Sequence, residues 1–148
     1  MDGRTRGWFA FGLGAGAVVW ALALVLGAFL VPAYGGDSCE AAPGSPTVCG
    51  SLPSQTLFAV NGWWVVELLL GVVAVTALAF CALHVYCATG ARRAHSAAVW
   101  LIALLAVFSI VSGFSIGLYV VPAALLLFAS ATLTPERAPR ESSPGAGR

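Results

Sequence analysis

The residue pattern predicts an all-α integral membrane protein: a small bundle of four transmembrane helices, both termini cytoplasmic, with the last two helices forming a tight hairpin. Three observations predict it. The chain is 59% hydrophobic and only 9% charged, with a mean hydropathy of +0.92, whereas roughly a quarter of the residues in a soluble domain carry charge. Its apolar residues fall in long runs that match the roughly 20 residues needed to cross about 30 Å of hydrocarbon. Its charges lie between and outside those runs, with one acid as the exception. At 148 residues and a net charge of +1 there is room for one domain and no electrostatic footprint for nucleic acid. The partner that composition implies is the lipid bilayer.

Residues 1–7 are expected to be a cytoplasmic N-terminus carrying Arg4 and Arg6. The first span, 8–31, is well beyond the roughly 7–15 apolar residues of a signal peptide and is read as permanent. Its "GLGAG" lacks the preceding strand of a nucleotide loop. Gly12 and Gly16 instead form a G-x-x-x-G patch that lets another backbone approach, within the bundle or between copies. Trp20 falls mid-helix and is read as a packing residue.

Residues 32–56 contain no arginine and carry Asp37 and Glu40, which suits an extracytoplasmic loop. Glycines and prolines make it turn-rich. Cys39 and Cys49 lie in it, on the oxidising side, and are expected to form a disulfide. Closing a loop of about ten residues stabilises it by roughly 3 kcal/mol in the chain-entropy model. Catalytic dithiols favour C-x-x-C, which is missing here.

The second span, 57–86, is longer than a bilayer requires and is interrupted by Glu67 and His84 alone. Cys81, His84 and Cys87 follow C-x-x-H-x-x-C spacing at its end. Two three-residue steps drift about 120° around a helix, so the three do not converge as ligands, and His95 is the one obvious fourth candidate. They are read as packing and interfacial residues, with no metal and no cofactor.

A cytoplasmic loop, 87–95, carries Arg92 and Arg93. The last apolar stretch would be about 55 Å long as one helix, nearly twice the hydrocarbon thickness, so it must fold back. "SGFSIG" at 112–117 supplies the turn chemistry, giving spans 96–112 and 113–133. Gly113 and Gly117 repeat the G-x-x-x-G spacing as candidate packing residues. Pro122 removes a helical donor and frees a carbonyl that a neighbour must satisfy. The tail, 134–148, is rich in proline, serine and charge and is expected to be disordered in the cytoplasm.

Charge placement supports this threading. The arginines fall before the first span, between the second and third, and after the fourth, which the positive-inside rule places in the cytoplasm of a cell membrane. Trp8, Tyr86 and Trp100 fall at inner boundaries, and Tyr34, Trp63, Trp64 and Tyr119 near outer ones, as aromatic belts do.

Glu67 is the residue that demands a reason. It follows the Trp63–Trp64 belt into the outer leaflet, while the seven cations are all arginines at the other side. Such a carboxylate is neutral, hydrated or partnered from outside the chain, and is a candidate ion or proton site by default. One expectation is a hydrogen bond to Thr56, Asn61, Ser112, Ser115 or Tyr119 that pins the second span to the hairpin. The other is a proton or cation site facing a bundle cavity.

One intramembrane carboxylate, with no nucleophile and base beside it, does not make an active site. The expected function is therefore a non-enzymatic structural or accessory membrane component, partnered by a second copy or another membrane protein. The alternative is a small oligomeric transporter or channel that couples protons or cations through Glu67.

Overall fold

The computed structural model describes residues 3–40, 48–112 and 116–134. They are mostly helical. Helix α1, Gly3–Leu30, leads into an antiparallel ribbon of strands β1, Pro32–Glu40, and β2, Val48–Thr56. A one-turn helix α2, Leu57–Asn61, follows, then α3, Trp63–Thr89, α4, Arg92–Val111, and α5, Leu118–Leu133. Three stretches, Thr5–Leu30, Trp63–Thr89 and Arg92–Val111, are long and apolar enough to cross a membrane by length and composition. Helix α5 is equally apolar, but its 16 residues reach only about 24 Å. This is the architecture of a membrane-embedded chain.

The helices run up and down in turn. The start of α1 meets the end of α5, and Phe11 of α1 lies against Phe80 and His84 near the end of α3. The ribbon therefore caps one end, while the α3–α4 turn and the described termini gather at the other. Helix α1 packs on α5 and α3, α3 on α4, and α4 on α5.

Each helix is apolar all round, so side-chain size and spacing, rather than an apolar stripe, mark the buried face. On α3 the buried residues Val65, Leu69, Val72, Thr76, Ala79, Leu83 and Tyr86 alternate steps of four and three. Ala98, Ile102, Leu105 and Ser109 of α4 do the same. This period of 3.5 is that of a left-handed bundle seam. On α1 the seam is nearly all small: Ala10, Gly14, Ala17, Ala21 and Ala28 are buried. Small residues let backbones approach where lipid offers no hydrophobic drive to bring helices together.

That seam moves the expected contact within the bundle; the alternative, a contact between copies through Gly12 and Gly16, stays open. A methyl added at Gly12 or Gly16 meets nothing within 4 Å, whereas one at Gly14 would stand 2.5 Å from the Phe80 ring and 3.3 Å from Ser130 Oγ. The close approach inside the bundle therefore belongs to Gly14. Gly117 is tight, since an added Cβ would fall onto the carbonyl oxygen of Ser109. Gly113 lies outside the described residues.

The turn-rich loop expected over 32–56 is instead the β1–β2 ribbon, so the fold is helical with one two-stranded addition. Its register has two irregularities, between Pro32 and Tyr34 and between Tyr34 and Gly36. Pro53, which has no N–H to give a ladder, falls at the second. Gly35 permits a close crossing there, because an added Cβ would lie 3.3 Å from Ser54 Cα. The register sets Cys39 opposite Cys49. Their side chains lie outside the described set, and among the described residues no cysteine pair stands at disulfide distance.

Two glycines punctuate the second apolar run. Gly62, at φ 72°, separates α2 from α3, so the run breaks just before the paired tryptophans. Gly90 ends α3 in the left-handed conformation, its N–H donating to the Tyr86 carbonyl. Arg92 and Arg93, expected in a loop, open helix α4. The tail beyond Thr134, with Arg137, Arg140 and Arg148, lies outside the described residues.

Candidate functional site

The interior offers little chemistry. Its buried polar side chains are Thr76, Ser109 and Ser130, and each spends its hydroxyl on a backbone carbonyl. Thr76 donates to Val72 at 2.7 Å and Ser109 to Leu105 at 2.9 Å, both one turn back in their own helices. Ser130 reaches across to the Ala10 carbonyl at 2.7 Å, joining α5 to the small-residue seam of α1. A hydroxyl so used is saturated against the cost of an unpaired polar group in an apolar medium.

Glu67 lies on the opposite side of α3 from this core. Val65, Val66 and Leu69 around it are buried, while Glu67 itself is exposed. Among the described residues no hydrogen bond or ion pair reaches its carboxylate. The proposed neutral partners are engaged elsewhere or turned away. Thr56 Oγ1 accepts from the Ala59 N–H at 3.2 Å and caps α2. Asn61 Nδ2 donates to the Tyr34 hydroxyl at 3.3 Å and to the Leu57 carbonyl at 3.0 Å. Ser112 and Tyr119 make no bond to Glu67, and Ser115 lies outside the described residues. Among the described residues, then, no bond joins Glu67 to the hairpin, and the side chain faces away from the core. The reason is register. The core takes positions 65, 66, 69 and 72, and 100° per residue turns position 67 outward.

The outward face continues down the helix. Gly71, Ala74, Leu78 and Cys81 are exposed and lie within about 40° of Glu67 around the axis. Trp63 and Trp64, 68% and 54% exposed, crown it. The face therefore carries an aromatic crown, an acid about 6 Å below Trp63, and small side chains beneath.

Two concave regions complete the survey. The larger, about 590 Å³, lies at the ribbon end between α1, the start of β1 and the start of α5. Trp20, Gly27, Tyr34, Leu57 and Tyr119 are among its walls. Its volume is typical of small-molecule sites, but its walls hold no charged group, and the Trp20 indole is already donating to the Tyr119 carbonyl at 2.9 Å. The smaller, about 280 Å³ at the other end, is lined by Phe11, Phe80, His84, Cys87, Ser130 and Thr134 among others. His84 and Cys87 share this hollow, whereas Cys81 faces outward. No three potential ligands come together among the described residues. His95 packs against Tyr86, ring centroids 4.8 Å apart, with its Nδ1 buried and unpartnered, apart from the His84–Cys87 hollow.

Sequence reasoning singled out Glu67 and missed Gly14, Ser130 and the outward seam below the acid. The signal for Gly14 was present as the Ala10, Gly14, Ala17, Ala21 spacing, which the adjacent G-x-x-x-G pattern obscured. Comparison with protein-family models, with curated proteins and with solved structures finds no match.

Proposed function

We propose that the chain is a non-enzymatic accessory component of a cell membrane that works by lateral assembly, through the outward face of α3. One observation carries the reading: the single acid among the described helices points away from a core whose buried hydroxyls, on Thr76, Ser109 and Ser130, are all satisfied. A residue that costs free energy in lipid and contributes nothing to the fold is retained for what lies outside it.

In this reading all four long helices cross the bilayer, α5 with help from the turn that precedes it. Both termini are cytoplasmic, in line with the arginine distribution. The β1–β2 ribbon stands outside, and a Cys39–Cys49 disulfide locks it. The facing register of the two residues supports that bond, and a lone two-stranded ribbon is marginal without some such tie.

The alternative of an oligomeric proton- or cation-coupled transporter asks Glu67 to line a path between copies. Both readings are tested by one pair of measurements. Chemical cross-linking in intact membranes of the producing cell, compared for wild type, Gly71→Ile and Ala74→Ile, reports lateral assembly; the bulky variants are expected to abolish the assembled band. A band indifferent to both changes contradicts the proposal. Flux of cations into proteoliposomes driven by a proton gradient, lost in Glu67→Gln, would establish the transporter instead.

A further inference from the structure

The α3 face also specifies the chemistry of its partner. Glu67 is exposed near the ribbon end, and among the described residues no cation stands near it. The chain's cations are arginines 4, 6, 92, 93, 137, 140 and 148, with no lysine. Arg92 begins the next helix beyond Thr89, which is itself about 33 Å down α3 from Glu67. A second copy inserted with the same orientation would meet this face acid against acid, which disfavours pairing. Below the acid, a methyl built on Gly71 meets nothing within 4 Å, and Ala74 follows one turn on. A helix lying here could approach closely while its own side chains reach Glu67.

We infer that this face docks a transmembrane helix of a different protein, one that carries an arginine or lysine in the first two turns of its ribbon-side end. The cation pairs with Glu67, and the two backbones approach along Gly71 and Ala74. Pairing offsets part of the cost that each charge bears when unpartnered in the bilayer, so both chains gain by associating. This inference rests on the lateral-assembly reading and adds the sign and depth of the partner's charge.

The test uses the full chain in liposomes and a synthetic leucine- and alanine-rich spanning peptide of about 24 residues. Its opposite end carries a charged tag that fixes its orientation. One version bears a single arginine at the depth of Glu67, the other glutamine at the same position. Energy transfer between labelled chain and peptide reads association. The arginine peptide is expected to bind about tenfold tighter than the glutamine peptide, as a membrane-buried polar contact of the stronger kind would give. Glu67→Gln is expected to erase that difference, and Gly71→Ile to weaken both peptides. Equal binding of the two peptides, with Gly71→Ile still weakening both, would overturn the cationic partner while leaving lateral assembly in place. Binding of neither peptide, with Gly71→Ile without effect, would overturn both. Oxidation of the reconstituted chain gives a further reading, since Cys81 lies on the same face. A covalent dimer that forms through Cys81, disappears in Cys81→Ser and persists in excess arginine peptide would assign the face to a second copy and overturn the inference.

Discussion

Trp20 of α1 donates its indole N–H to the Tyr119 carbonyl of α5 at 2.9 Å, across 99 positions of sequence. The acceptor lies just ahead of Pro122, the proline inside α5. A helical proline deprives the residue four positions back of its donor and crowds that carbonyl, so the freed group would be that of Leu118. The observed bond goes to the next carbonyl along, in the turn that the proline loosens. Mid-helix Trp20, expected to be a packing residue, is 40% exposed and instead ties α1 to the turn of α5 ahead of Pro122.

Replacing Trp20 by phenylalanine removes that donor and leaves an aromatic ring in place. The expected loss is about 0.6 to 1.7 kcal/mol, the range for polar contacts between membrane helices. Unfolding in mixed micelles measures it. No loss of stability would mean that the carbonyl is served as well by another donor.

The glycines of α1 make a sharper contrast. Gly14→Ile drives a branched side chain into Phe80 and Ser130, and overpacking of this kind costs about 1 to 3 kcal/mol or prevents folding. Gly12→Ile and Gly16→Ile point into open space and are expected to leave the isolated monomer's stability within about 0.5 kcal/mol. Equal damage from all three would contradict the α1 rotation described above.

Glu67→Leu swaps an exposed acid for an apolar side chain on a face that contributes nothing to the core. The unfolding midpoint of the isolated chain is expected to stay the same or rise, while lateral assembly is lost. A fall in the midpoint would show that Glu67 holds the fold together after all.

The proposed Cys39–Cys49 disulfide is open to direct assay. Non-reduced proteolysis and mass spectrometry of membranes isolated under a thiol-blocking reagent should recover a fragment linked through Cys39 and Cys49. Cys49→Ser should make the ribbon more protease-sensitive without altering the helices. Free thiols at both positions would remove the cross-link from the account.

How much of this was legible in the sequence follows from what lipid does to patterning. Two long apolar segments, 8–31 and 57–86, and two shorter ones, 96–112 and 113–133, were readable from length and hydropathy, because the bilayer sets both; the structure lengthens the third to 20 residues and shortens the last to 16. Gly62 and Gly90 break or end the second run where positive φ demands glycine. The rotation of each helix was harder to read, since helices apolar on every side leave no polar face to exclude from the core. That is why the direction of Glu67, which is found facing out, was open between a bundle cavity and a partner outside the chain, and why the close approach within the bundle was sought at Gly12 and Gly16 and is found at Gly14. The ribbon escaped notice because Gly35, Gly36 and Pro53 depress strand propensity, and its pairing depends on bulges that no period of two reveals.

The most direct test of the outward α3 face compares spin labels at two neighbouring positions of the chain in lipid bilayers. Glu67→Cys and Leu69→Cys differ by two residues, yet Leu69 is 3% exposed and Glu67 is on the open face. In the isolated chain the label at 67 should be mobile and accessible to oxygen dissolved in the membrane, and the label at 69 immobile and protected. The reverse order would turn α3 by half its circumference, place Glu67 inside the bundle, and contradict the account.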